Sequence, residues 1–219
     1  MSRPRLLDLY CGAGGASAGY ERAGFDVVGV DLAPMPNYPG EFVRADALEV
    51  LADAGFVAGF DALAASPPCQ SYTPLRALDR TKVYPDLVAA TRAALDATGL
   101  PWIMENVMAA PLLRRHSVVL CGSMFGLRTY RHRRFEPSPD LHLVAPRHPR
   151  HTARTATVER RARWEAGWHV SITGDVGTYV GPEAMGIDWM TGDELSQAIP
   201  PAYTACLGRQ LLARLGLAA

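Results

Sequence analysis

Three groups of residues in this chain could carry chemistry, and the sharpest is Cys69 within Ser66-Pro67-Pro68-Cys69-Gln70. Each proline ring fixes φ and pushes the preceding residue out of helical geometry, so the approach to Cys69 is extended and stiff. The apolar run Ala62-Leu63-Ala64-Ala65 just before it reads as a short buried strand. The thiol is therefore expected at a strand's carboxyl end, the edge at which open α/β sheets bind ligands, where it could act as a nucleophile. Glu105 ends a second apolar run, Trp102-Ile103-Met104. With these two runs as neighbouring strands, the carboxyl stands beside the thiol and can manage protons on a ring that the thiol attacks. The third group is Asp8-Leu9-Tyr10-Cys11-Gly12-Ala13-Gly14-Gly15, with Asp31 lying 23 residues after Asp8. Glycines let backbone approach a ligand closely at a helix N-terminus. An acid closing the second strand can hold the hydroxyls of an adenosine ribose, so the group predicts a nucleoside cofactor. No Gly-Lys-Ser/Thr follows, which excludes a Walker phosphate loop.

The elements that must position these groups alternate in type. Strand-like runs cover Arg5–Leu9, Phe25–Val30, Phe42–Arg44, Asp61–Ala65, Trp102–Met104 and Ser117–Leu120. Helix-like runs cover Ala16–Ala23, Leu48–Val57, Tyr84–Thr98 and Tyr203–Leu217, with Gly24 and Gly99 past two ends and Pro85 near one start. The alternation predicts an α/β fold, a Rossmann-like, doubly wound and mostly parallel sheet. Beyond Phe135 the pattern dissolves. His142 to Trp168 is rich in Pro, His, Arg and Thr and has too few apolar residues for a core of its own. We read residues 1–140 as the α/β domain, 141–185 as a short loop-rich insert and 186–219 as a C-terminal segment returning to the first domain.

A chain of 219 residues, 48% of them hydrophobic, suits one globular domain rather than a disordered segment. No apolar stretch reaches membrane-spanning length, and Met1-Ser2-Arg3-Pro4-Arg5 leaves no room for a signal peptide, so a cytoplasmic protein with no membrane partner is expected. Cys11, Cys69, Cys121 and Cys206 are widely spaced without a CxxC pair, which favours reduced thiols over disulfides. His142, His148, His151 and His169 lack a regular ligand spacing, so no metal site is expected. Net charge is zero, yet the stretch from Arg114 to Arg163 holds twelve arginines against Glu136, Asp140 and Glu159, or +9. The remainder is then −9. Guanidinium groups match phosphates and base edges in a planar, bidentate way, so a one-sided polyanion surface is expected.

Taken together, Asp8–Gly15, Val28-Gly29-Val30-Asp31, Asp46, Ser66-Pro67-Pro68-Cys69-Gln70, Glu105-Asn106-Val107, Arg131-His132-Arg133 and Leu195–Pro201 resemble, in order, the blocks of the cytosine-5 DNA methyltransferases. The resemblance spans nearly the whole chain. It implies a class I methyltransferase sheet and S-adenosylmethionine as cofactor. Tyr10, Cys11, Gly12, Gly14 and Gly15 would surround the methionine part, Asp31 the ribose and Asp46 the adenine, with Pro67 and Gln197 close by. It implies Cys69 as the nucleophile on C6 of a cytosine, Glu105 at the N3 side of the ring, and Arg131 and Arg133 at the target pocket. A neighbouring cation favours the thiolate. It also implies a flipped base, because a stacked cytosine hides C6.

Three departures stand out. Thr129 occupies the family's glutamine, Ser196-Gln197 occupies its Gly-Asn, and the target-recognition region is nearly missing. The short insert is still basic, with Arg147, Arg150, Arg154, Arg160, Arg161 and Arg163, and it carries Trp164 and Trp168. These arginines, with Gln70 and Ser71, are the expected nucleic-acid contacts. Duplex DNA with a short or degenerate site is the expected partner, held mainly through phosphates and possessing strong salt dependence, as in a restriction-modification methyltransferase. RNA, single-stranded DNA or a free cytosine nucleotide remains open as a substrate, as does a role in binding without catalysis.

Overall fold

The computed structural model describes residues 2–73, 84–157, 160–172 and 179–217. The insert read from the sequence, 141–185, is thus described except at 158–159 and 173–178. The elements run β1 (Arg5–Leu9), α1 (Gly15–Ala23), β2 (Asp26–Asp31), β3 (Glu41–Arg44), α2 (Ala47–Ala52), α3 (Ala54–Val57), β4 (Ala62–Ala65), α4 (Val88–Ala97), β5 (Trp102–Asn106), β6 (Val118–Leu120) and β7 (Arg133–Pro137). There follow β8 (Thr155–Ala156), α5 (Arg161–Glu165), β9 (His169–Val170), α6 (Gly181–Met185), α7 (Gly192–Gln197) and α8 (Pro201–Arg214). Seven strands form one sheet in the order β3-β2-β1-β4-β5-β7-β6. All its pairings are parallel except the two that β7 makes, with β5 and β6.

Strands buried on both faces must be apolar almost throughout, and Leu6, Leu7, Leu9 and the run Ala62–Ala65 meet that demand. Alternate residues feed two cores. Leu6, Val27, Ala64 and Ile103 pack with Tyr20 of α1 and Tyr203, Leu207 and Leu211 of α8. Leu7, Val28, Leu63 and Met104 pack with Leu51 of α2 and Val88 and Leu95 of α4. The helices α1 and α8 touch backbone to backbone. A Cβ on Gly19 would lie 1.9 Å from Thr204 Oγ1 and 2.2 Å from the Pro201 carbonyl. Gly19 is therefore required by space.

Several elements differ from the sequence expectation. The helix expected over Leu48–Val57 is two short ones, because Asp53 leaves helical geometry and caps the second through Phe56 N–H. The helix expected from Tyr84 begins at Val88. Ser71 Oγ donates to the carbonyls of Tyr84 and Pro85, and Asp86 accepts from Val88 N–H, so this lead-in serves the Cys69 loop instead of the helix. The last helix starts earlier, at Pro201, and ends at Arg214 before Gly216, whose φ is +72°. β7 falls where the alternating pattern fades. Glu136 within it is buried because Arg92 grips both carboxylate oxygens at 2.6 and 2.9 Å and Leu113 N–H adds a third bond at 2.6 Å.

Regular structure among the insert's described residues is limited to the two-residue pair β8–β9, the single turn of α5 and, at its end, α6. Val170, Ile172, Val180, Ala184 and Met185 pack with Ile187, Leu195 and Ala13, so the insert shares a small core with α7 and the loop after β1. Among the described residues no helix is long and apolar enough to cross a membrane.

Candidate active site

β1, β4 and β5 end side by side, with Leu9 opposite Ala65 and Ala65 opposite Met104. The loops leaving β1 and β4 and the last residues of β5 therefore share one edge. Asn106, fully buried, ties two of them together: its amide donates to the Pro67 carbonyl at 2.8 Å, and its own oxygen accepts Val107 N–H at 2.8 Å. The stiff Pro67-Pro68 lead is thus anchored to β5. Cys69, half-buried, precedes a single 3₁₀ turn from Gln70 to Tyr72, closed by Tyr72 N–H to the Cys69 carbonyl at 2.9 Å.

Glu105 is buried and meets Arg133 of β7 at 3.0 Å between Oε1 and Nε. The contact is an ion pair without hydrogen-bond alignment, since Glu105 Oε1 has no hydrogen-bond partner. A buried carboxylate oxygen with a free lone pair can accept an N–H from a ligand. Burial, opposed by Arg133 and then Arg131, raises the Glu105 carboxyl above its ordinary value. Burial also raises the Cys69 thiol, with Glu105 adding to the rise and Arg133 and Arg131 opposing it. This corrects the expectation that neighbouring cations make Cys69 a ready thiolate. In the free protein, desolvation and the carboxylate outweigh them.

Arg131 is used differently from the expectation. Two guanidinium nitrogens donate to the carbonyls of Ile172 and Ser196, each at 2.7 Å, and Tyr203 O–H donates to the Arg131 carbonyl at 2.6 Å. Its Nε is buried without a partner. Burial beside Arg133 lowers Arg131 to about 9. Arg131 thus binds the insert and α7 to the sheet and lends its field to Glu105 and Cys69.

The loop after β1 has the form expected of a cofactor cradle. Tyr10, Gly12 and Gly14 have φ of +57°, +51° and +82°. Positive φ at the non-glycine Tyr10 is a strained conformation, held here by its hydroxyl 3.0 Å from Thr91 Oγ1 and by the buried Cys11, whose N–H reaches the Val30 carbonyl at 3.1 Å. A Cβ on Gly12 would meet nothing within 4 Å, so one side of the turn is open, whereas Gly14 and Gly15 face Tyr38, Pro39 and Ile199. Asp31 ends β2 and accepts Gly12 N–H and Ala33 N–H, one on each oxygen at 3.0 Å. Each oxygen keeps a lone pair for a diol. Asp46 spends Oδ1 capping α2 through Leu48 and Glu49 N–H, and Pro67 is buried. Gln197 is exposed at the end of α7. An open glycine turn, an acid at the end of β2 and an uncapped α1 fit an adenosyl amino acid such as S-adenosylmethionine.

Sequence reasoning missed Asp8. It lies fully buried under this loop, accepts the Ser17 hydroxyl at 2.5 Å, and is pushed up to about 7 by desolvation. A buried aspartate inside an apolar strand, Arg5-Leu6-Leu7-Asp8-Leu9, was the available signal. Gln70 and Ser71 do stand beside Cys69, but the Ser71 hydroxyl is engaged by the loop. Arg147, Arg150, Arg154, Arg160 and Arg161 are exposed, and Arg163 is half-buried. Both tryptophan rings already have arginines against them. Arg128 lies 3.5 Å from the Trp164 ring centre, and Arg163 and Arg154 lie 5.2 and 5.6 Å from that of Trp168. Base stacking on them would require these arginines to move.

No family model matches the chain. Part of it is 34% identical, over 99 residues, to the type II methyltransferase M.XorII of Xanthomonas oryzae pv. oryzae, covering 37% of this chain and 23% of that protein. Another match, 30% over 76 residues, is to the type II methyltransferase M.FnuDI of Fusobacterium nucleatum, covering 32% of this chain and 22% of that protein. The matched part therefore spans less than a quarter of either relative. Among solved structures, a Spodoptera frugiperda DNMT2 mutant superposes with a TM-score of 0.60 at 12% identity, over 95% of this chain and 99% of that one. The Schizosaccharomyces pombe Dnmt2 methyltransferase superposes with a TM-score of 0.58 at 11% identity, over 97% and 99%. The fold is that of the class I methyltransferases.

Proposed function

We propose that this chain belongs to the cytosine-5 methyltransferase family and methylates C5 of a cytosine in DNA. The observation that carries the reading is the meeting of Cys69, Glu105 and Arg133 at the strand edge beside the glycine turn. S-adenosylmethionine, when bound, supplies an electrophilic methyl group. Tyr10, Cys11, Gly12, Gly14 and Gly15 would hold its amino-acid part and Asp31 its ribose, with Asp46, Pro67 and Gln197 assigned to the remainder.

Cys69, its proton given up to water, adds as the thiolate to C6 of the ring, and the electrons of the C5–C6 bond move to C5, which becomes the nucleophile. Glu105, whose carboxyl burial raises, takes up a proton and donates it to ring N3 as the ring accepts those electrons, while its other oxygen accepts the exocyclic amino N–H. After C5 is alkylated, loss of its proton returns electrons to the C5–C6 bond and expels the Cys69 thiolate. A raised thiol suits this cycle: the site becomes fully reactive once the substrate ring engages Glu105 and removes its charge from Cys69. Duplex DNA requires the base to be flipped out, and we assign Gln70, Ser71 and the exposed insert arginines to its backbone. So small an insert points to a short or degenerate site.

The test is methyl transfer from labelled S-adenosylmethionine to duplex DNA, single-stranded DNA, RNA and cytosine nucleotides in parallel, with mass analysis of the product base. We expect 5-methylcytosine in duplex DNA and none from Cys69→Ser. Methylation of RNA alone would move the substrate. Activity that survives Cys69→Ser would overturn the mechanism.

A further inference from the structure

We propose that Cys121, His132, His148 and His151 form a structural zinc site that fastens the basic insert to the antiparallel edge of the sheet. The four donor atoms lie within 4.8 Å of one another, although their positions in the sequence show no ligand spacing and no metal was expected there. Cys121 follows β6 and His132 precedes β7, so the sheet supplies two donors, while His148 and His151 come from the insert. Cys121 Sγ and His151 Nε2 are 3.3 Å apart, as are His132 Nε2 and His148 Nε2. With zinc–nitrogen bonds of about 2.0–2.1 Å and tetrahedral angles, two ligating nitrogens stand about 3.3 Å apart, so the histidine pair already has the edge of a zinc tetrahedron.

The surroundings orient the donors inward. His148 Nδ1 lies 2.7 Å from the Pro149 carbonyl. A carbonyl only accepts, so Nδ1 carries the proton and Nε2 presents its lone pair to the cluster. His151 is stacked on Tyr130, with centroids 3.7 Å apart, and Tyr130 Oη accepts Ala153 N–H at 2.9 Å. Ser123 Oγ lies 3.2 Å from Cys121 Sγ, placed to donate to a thiolate. One sulfur and three imidazoles, with no carboxylate among them, suit zinc and exclude magnesium or calcium. Four protein ligands leave no open position, which marks a structural site.

The fold has a use for such a clamp. The insert's only paired strands among its described residues are two residues long, and a bound metal supplies stability that its few apolar residues do not. His132 also sits between Arg131 and Arg133, so fixing its ring fixes the backbone that aims Arg133 at Glu105. The site stands independently of the methyl-transfer reading.

The test uses the full chain with any affinity tag removed, purified without chelator. Elemental analysis should find one zinc per chain. In the His148→Ala/His151→Ala variant, both positions being exposed, zinc content should fall by about tenfold or more. Cobalt(II) added to the apo protein should give the visible bands of a tetrahedral centre with thiolate-to-cobalt charge transfer, and Cys121→Ser should lose the charge transfer while keeping visible bands. A protein that carries no metal and gives no tetrahedral cobalt spectrum overturns the proposal. So does zinc retained at full content by the double histidine variant.

Discussion

Replacing Arg133 by alanine strips Glu105 of its partner in a place where water compensates poorly. The two groups meet at 3.0 Å with side chains 16% and 11% exposed. At an effective dielectric constant of about 20 their attraction is roughly 5 kcal/mol, and removing one partner of a buried pair costs about 3–5 kcal/mol. The carboxyl has an escape, which is to take up a proton. Burial already raises Glu105 from its ordinary 4.5, and Arg133 is the largest influence holding it down. Protonating such a group costs about 1.4 kcal/mol for each pH unit above 4.5, hence at most about 3.5 kcal/mol at pH 7 and under about 1 kcal/mol at pH 5. The sign follows: a folded-state value above the unfolded one gives stability that is lost as pH rises, and the variant, whose value is higher still, loses more. Arg133→Ala should therefore be less stable than the parent by about 2–3 kcal/mol at pH 7 and by less than about 1 kcal/mol at pH 5, read by urea unfolding at low salt. Adding Glu105→Gln should restore most of the loss at pH 7. A penalty independent of pH, or unrelieved by Glu105→Gln, would refute an ionised Glu105 held by Arg133.

Asp8, raised to about 7 from 3.8, favours the fold below pH 4 and loses that contribution as pH rises to 7. Melting curves of Asp8→Asn should then fall less between pH 5 and 7.5 than the parent's, and parallel curves would contradict the assignment. Asn106→Ala leaves the buried Pro67 carbonyl unpaired, a cost of about 1–3 kcal/mol, and should lower kcat more than it raises KM because the Cys69 loop loses its anchor. An unchanged kcat would remove that role. For DNA binding, the slope of log affinity against log salt should shrink by about 0.9 for each phosphate no longer neutralised by an arginine, so Arg147→Ser/Arg150→Ser should flatten it while a remote Arg22→Ser leaves it unchanged.

The glycine turn after β1 and the Cys69 loop were legible because they depend on local chemistry. Glycines at positive φ, prolines before Cys69 and apolar runs in β1, β2, β4 and β5 each declare themselves over a few residues. β7 did not, because Arg133-Arg134-Phe135-Glu136-Pro137 reads as polar. Its burial is made possible by Arg92 and Glu105, partners distant in sequence. Arg131 was legible as a residue of the site but not in its task, since its two carbonyl partners come from the insert and α7. The Cys121–His151 cluster is the extreme case, with donors drawn from stretches on either side of β7. The start of α4 was misread for a similar reason: Pro85 looked like a helix start, but Ser71 captures the carbonyls on which a first turn would build.

The central claim is that Cys69 attacks the cytosine ring at C6. Duplex DNA carrying 5-fluorocytosine tests it directly, because C5 then lacks the proton whose loss releases the enzyme. Incubated with S-adenosylmethionine, the protein should form a denaturation-stable adduct with this DNA, and peptide mass mapping should find the modified nucleotide on Cys69. A protein that binds S-adenosylmethionine yet forms no adduct, or forms one on another residue, would contradict the account.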